Sequence, residues 1–180
     1  MLIVITKDPK IVDFISTTKS GAAAWGTVHL LNPAHGQDQA HAQLIGLLNT
    51  ARSGDPLCIV GHGNDHEVGG KGNANDPWGW TAKDMALLLN TELNNRPSLI
   101  LFEVCSDEAL EEATKESNQV GKMPVEGFAT NLQAAFRKTG VADRLNGLTV
   151  YSYNRHTATT HTLPHPDAVA KSRELQPSVL

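Results

Sequence analysis

Two stretches decide the fold: Leu57-Cys58-Ile59-Val60-Gly61-His62-Gly63-Asn64 and Leu99-Ile100-Leu101-Phe102-Glu103-Val104-Cys105-Ser106-Asp107. Each opens as an unbroken apolar run, the pattern of a strand covered on both faces. Each then breaks abruptly into polar or reactive residues. Between them Thr81 caps an amphipathic segment reaching about Leu93, with Asp84 in the acidic position of a capping box and Met85, Leu88 and Leu89 as its apolar stripe. Strand, helix, strand is the crossover that makes neighbouring strands parallel, so both polar ends face one edge of a sheet.

The same alternation extends outward. Met1–Thr6 reads as a strand closed by Lys7-Asp8-Pro9, and Gly26–Leu31 as a second, ending at Asn32-Pro33. Gln37–Arg52 has helical spacing through Ala40, Leu44, Leu47 and Leu48, with Ser53-Gly54-Asp55-Pro56 as its stop. Gly61–Gly79 is glycine- and asparagine-rich and reads as a long loop, and Asp107–Ser117 as an acidic turn or mobile segment. Gly127–Lys138 forms a further amphipathic helix through Phe128, Leu132, Ala135 and Phe136, followed by the strand Leu148–Tyr153. The expected architecture is one α/β domain over residues 1–163, a three-layer α/β/α sandwich around a mainly parallel sheet. The polar, proline-punctuated residues 164–180 are expected to be a loosely held tail.

Composition narrows the function. The 180 residues are 40% hydrophobic and 19% charged, with net charge −4, which suits a globular chain that does not bind nucleic acid. Lysines and arginines are scattered, arguing against a polybasic membrane patch, and no apolar run nears the roughly 20 residues of a membrane helix. The first residues lack the basic leader of a secretory signal, so the expectation is the cytoplasm or export without a classical signal. Two cysteines make no disulfide framework. No GxSxG elbow and no GxxxxGK[ST] loop is present.

In an open parallel sheet, working groups gather beyond the carboxyl ends of the strands. His62 and Cys105 both stand there. A free thiol with a pKa of about 8.5 is mostly protonated at neutral pH and needs a basic neighbour to become a nucleophile. His62 is that base, and the backbone N–H groups of Gly63 and Cys105 are candidate oxyanion donors. Taken singly, a strand-end cysteine is by default core filler and a histidine a structural hydrogen-bonder; it is the pair, each closing an apolar strand, that favours chemistry. Cys58, mid-strand, is assigned to the core.

An apolar strand ending in His-Gly, then one ending in Glu-x-Cys, resembles the caspase–hemoglobinase clan of cysteine peptidases. That clan includes caspases, metacaspases, legumains, clostripain-like enzymes and the self-processing peptidase domains of bacterial toxins. Trp78-Gly79-Trp80-Thr81-Ala82-Lys83-Asp84-Met85 is similar to the loop-to-helix entry of the bacterial members. The resemblance implies a caspase–hemoglobinase-like fold and a cofactor-free, metal-free peptide-bond hydrolase acting on a protein or peptide. It implies Cys105 as nucleophile, His62 as base, and Gly63 with Cys105 as oxyanion donors. It also implies that Glu103 lines the pocket for the residue before the cut, with Lys or Arg preferred and Asn less so.

Ser152, Tyr153 and Asn154 leave the last strand at the same edge and are candidates to bind substrate, and Trp80 to cover it; anchoring roles are equally open for Trp78 and Trp80. Two other readings stand beside the peptidase. One is a metal-dependent hydrolase using His62, Asp65 and His66; the other is an inactive α/β binding module. The oligomeric state is left open.

Overall fold

The computed structural model describes residues 1–69, 78–105, 127–153 and 162–180, with Cys105 described through its backbone. A six-stranded sheet runs through the molecule. Its strands are β1 (Leu2–Val4), β2 (Val28–Leu30), β3 (Leu57–His62), β6 (Ile100–Cys105), β7 (Thr149–Tyr153) and β8 (Leu175–Val179), in the spatial order β2-β1-β3-β6-β7-β8. The first five are parallel and β8 is antiparallel to β7.

Helices cover both faces. On one side α2 (Gln37–Asn49), α3 (Ala82–Glu92) and α4 (Phe128–Thr139) pack Leu44, Leu48, Met85, Leu89, Leu132 and Phe136 against Ile3, Ile59, Phe102 and Val150. On the other, α1 (Pro9–Ile15), a 3-10 turn ending in Trp25, and α5 (Pro166–Val169) cover Leu2, Val4, Cys58, Val60 and Leu101. The expected α/β sandwich is therefore present. The alternation of side chains along β6 assigns Ile100, Phe102 and Val104 to the first face and Leu101 and Glu103 to the second.

The capping box predicted for α3 forms: the Asp84 amide donates to Thr81 Oγ1 at 3.1 Å, and Asp84 Oδ2 accepts from the Thr81 amide at 3.0 Å. Cys58 is fully buried, its thiol pushed well above the usual range by burial and by the charge of Glu103.

Two expectations change. Within Gly61–Gly79, β3 continues to His62, and β4 (Glu67–Gly69) pairs antiparallel with β5 (Gly79–Thr81), so the described part of this stretch is largely a hairpin. The expected acidic segment Asp107–Ser117 lies outside the described residues. The supposed loose tail is integral. Residues 162–164 strap across the second face, where Leu163 is buried, its amide donates to Ser20 O at 2.8 Å, and Pro164 O accepts from the Trp25 indole at 3.0 Å. β8 then completes the sheet, with Leu175 and Ser178 buried. Its Pro177, which reads as a strand breaker, is tolerated because β8 is the edge strand of the sheet among the described residues. Among the described residues no helix is long and apolar enough to cross a membrane.

Leu175→Ala is expected to cost about 2–5 kcal/mol, as for other buried leucines. Val179→Ala on the same strand, 54% exposed, should stay within about 0.5 kcal/mol. Urea unfolding of the two variants measures both, and equal, negligible losses would restore the loose-tail reading.

Candidate active site

The connection leaving β1 passes through α1 on one face, whereas that leaving β3 passes through α3 on the other. Neighbouring strands whose connections part in opposite directions leave a crevice at their carboxyl ends. The residues there are Asp8, four beyond β1, and His62, the last residue of β3. His62 Nε2 lies 2.7 Å from Asp8 Oδ2, with both side chains about one-sixth exposed, 16% and 17%.

Asp8 does two jobs. Its Oδ1 accepts the Lys10 amide at 2.8 Å, capping α1, while Oδ2 holds the imidazole. Burial alone would raise its pKa. The hydrogen bonds from His62 and the Lys10 amide, with the nearby positive charge, outweigh that and bring the carboxyl below its usual value of 3.8. An ionised carboxylate only accepts, so the hydrogen in this pair resides on His62 Nε2. In the neutral ring, Nδ1 is then the basic atom.

The β3–β6 ladder runs without a slip from Leu57↔Ile100 to His62↔Cys105, so the backbones of the two predicted catalytic residues are direct register partners. The Cys105 side chain and Asn154 lie outside the described residues. Two register steps below the rim, Glu103 opposes Val60 and is 3% exposed. It shares the α1 face with Tyr153, whose hydroxyl is pushed far above its usual range by burial and then by the charge of Glu103. Glu103, Tyr153 and His62 thus occupy the second face of the sheet, the side of α1.

Gly63 closes β3 and bridges to Val68. A Cβ there would come within 2.3 Å of both Glu67 O and Val104 Cγ1, so the glycine is demanded by the chain's own hairpin rather than by space for a substrate. Asn64 completes the turn, its Oδ1 accepting the amides of His66 and Glu67 at 2.8 and 3.0 Å. Asn131 on α4 ties the turn down by donating to Asp65 O at 2.8 Å.

Two expected substrate residues turn elsewhere. Ser152 shares the first face with Val150, and its Oγ accepts the Ala129 amide at 2.9 Å, satisfying an N–H in the first turn of α4 that the Gly127 N-cap cannot serve. Trp80 is 1% exposed in the core of that same face, its indole donating to His41 Nδ1 at 3.1 Å. Trp78 is likewise an anchor: its indole donates to His35 O at 3.1 Å, with Lys7 Nζ 4.7 Å from the ring centroid. The metal set is not assembled either. His62 turns to Asp8, whereas His66, with 74% of its side chain exposed, leans on Asp65 at 3.5 Å. Among the described residues no three His, Cys, Asp or Glu side chains converge as ligands.

Asp8 is the residue that sequence reasoning missed. Its signal was present: an acidic residue directly before proline, just past the end of a strand, is an N-cap with Pro at the first helical position.

Because the folded-state pKa of Asp8 is depressed, the charged carboxylate contributes stability above its unfolded value of 3.8, and that contribution disappears as pH falls through the lower folded value. Asp8→Asn, which retains a capping oxygen, should therefore be less stable than wild type at pH 6, with the gap closing towards pH 2. Urea titrations at the two pH values test this, and a gap independent of pH would remove the ionic link. Ser152→Ala should cost about 0.5–2 kcal/mol through the lost helix-end hydrogen bond. No protein-family model matches the chain, and no curated protein is significantly similar to it.

Proposed function

We propose that the protein is a cysteine peptidase of the caspase–hemoglobinase type, with Cys105 as nucleophile, His62 as general base and Asp8 as the group that orients the imidazole. The observation that carries the reading is the unbroken β3–β6 register, which pairs His62 with Cys105 at the rim while Asp8 holds the far nitrogen of the ring at 2.7 Å. With Nε2–H committed to Asp8, Nδ1 takes the thiol proton. The thiolate adds to the scissile carbonyl carbon, and the oxyanion is met by the Gly63 and Cys105 N–H groups. Collapse of the adduct breaks the C–N bond as the imidazolium returns its proton to the leaving amine. Water, deprotonated by His62, then releases the acyl group and restores the thiol.

Asp8 contributes as the carboxylate of a triad does: it selects the tautomer and stabilises the imidazolium that forms. In this reading Glu103, a buried carboxylate on the His62 face, selects a substrate with Lys or Arg before the cut. The substrate is a protein or peptide, and the reaction needs no cofactor.

A fluorogenic peptide panel with Arg, Lys, Asn or Leu before the cut tests the proposal. Turnover is expected to be greatest with Arg and Lys, to vanish in Cys105→Ala, and to fall by about 10²–10⁴ in His62→Ala. Asp8→Ala should lower kcat by a smaller factor and leave KM nearly unaltered, since it acts through His62. Turnover that survives Cys105→Ala would refute the mechanism.

A further inference from the structure

The geometry points to β2 as a docking edge for a second copy of this chain, the two β2 strands pairing antiparallel about a two-fold axis at His29. The inference stands apart from the proposed chemistry and needs no residue of the rim.

β2 is the outermost strand on its side of the sheet, with no neighbour beyond it among the described residues. Its ladder with β1 fixes which backbone groups are already used. The Leu2 amide donates to Thr27 O at 2.9 Å, and the Leu31 amide donates to Val4 O at 3.2 Å. In a parallel ladder alternate residues bond to the neighbour, so Thr27, His29 and Leu31 face β1. The N–H and C=O groups of Val28 and Leu30 therefore point outward. Gln43 on α2 marks where this edge ends: its Nε2 donates to Leu30 O at 3.3 Å and its Oε1 accepts the Asn32 amide at 2.9 Å. A carbonyl has two lone pairs, so Leu30 O keeps room for one more donor.

An edge of this kind fits its own copy. With the axis at His29, Val28 of each copy meets Leu30 of the other, and each such pair exchanges two backbone hydrogen bonds. The side chains agree with the backbone. Val28 and Leu30 lie beside Leu2 and Val4 on the α1 face, and remain 37% and 42% exposed. Antiparallel pairing sets one against the other across the axis, twice over. Charge does not stand in the way: between Lys19 and Asp38 the sequence has no Asp, Glu, Lys or Arg. The opposite edge is different. β8 contains Pro177 and follows Arg173-Glu174, and proline and charge are devices that keep strand edges from pairing. A second copy is favoured over an unrelated extended peptide because one three-residue strand supplies both halves of each match.

The test is sedimentation equilibrium of the full chain, with thermal melting to verify each variant as folded. Wild type is expected to dimerise within about 1–100 μM, a weak association in keeping with so short a strand. Val28→Lys and Leu30→Lys, both at exposed positions, should each weaken dimerisation at least about 100-fold. Val179→Lys, on β8, should leave it within about twofold. Oxidative cross-linking in a Cys105→Ala background tests the register. His29→Cys puts two thiols at a non-hydrogen-bonded pair with Cα atoms about 4.5 Å apart, within disulfide reach, and should give a covalent dimer. Thr27→Cys, whose two copies would lie about 13 Å apart, should not. Wild type that stays monomeric through this range overturns the inference and leaves the edge to another occupant. A dimer that survives both lysine substitutions, or that Val179→Lys alone abolishes, overturns it too, because the contact then lies on another surface. Cross-linking through Thr27→Cys but not His29→Cys overturns the axis.

Discussion

The six-residue parallel ladder between β3 and β6 is the constraint on which the rest of the molecule depends. Its inner residues, Cys58 to Val60 and Leu101 to Val104, are buried, packed under α2, α3 and α4 on one side and under α1 on the other. A strand enclosed on both faces cannot slip by one residue without exchanging its two sets of side chains, so Leu101 and Glu103 would change places with Phe102 and Val104. Packing against two different layers forbids that exchange. The same rigidity that keeps Phe102 against Phe128, with ring centroids 4.8 Å apart, keeps Glu103 on the α1 face and sets His62 opposite Cys105.

At the top of this ladder the apolar layers give way to polar side chains. The sheet's connections diverge between β1 and β3, and the Asp8–His62 pair fills the resulting crevice. Asp8 is held twice, by the α1 amide it caps and by the imidazole it faces, so orientation of the ring is tied to formation of the helix. Below the rim, Glu103 places a carboxylate in apolar surroundings, where electrostatic effects are strong because little water screens them. Around the rim, a ring of backbone ties stiffens the support. Gly63 packs against Glu67 O and Val68, Asn131 holds Asp65 O, and Gln37 brackets Gly79 with hydrogen bonds of 3.0 and 3.1 Å.

Much of this was legible in the residues. Continuous apolar runs identify β3 and β6, and apolar residues at helical spacing identify α2, α3 and α4, because burial imposes those periods directly on the residue order. The Thr81/Asp84 box was readable since capping is local. The β4–β5 hairpin was not, because Glu67–Gly69 and Gly79–Thr81 are short, glycine-punctuated and stabilised by each other rather than by any intrinsic strand preference. β8 escaped for the same reason. Leu175–Val179 includes a proline and forms a strand only because β7 offers a free edge. Trp80 and Ser152 stand at positions that edge arguments mark as exposed, yet side chains of adjacent strand residues diverge to opposite faces, and these two face the helices.

The order of hydrophobic and polar residues alone determined an α/β sandwich, its mainly parallel sheet, and the arrival of His62 and Cys105 at one rim, since these follow from short-range periodicity and the handedness of crossovers. Tertiary structure alone decided that Asp8 meets His62 across 54 residues of chain, that Tyr153 rather than Ser152 shares the α1 face with Glu103, and that the final residues close the sheet. Those choices depend on which surfaces meet once the layers have packed, and no local pattern of residues encodes a partner that distant.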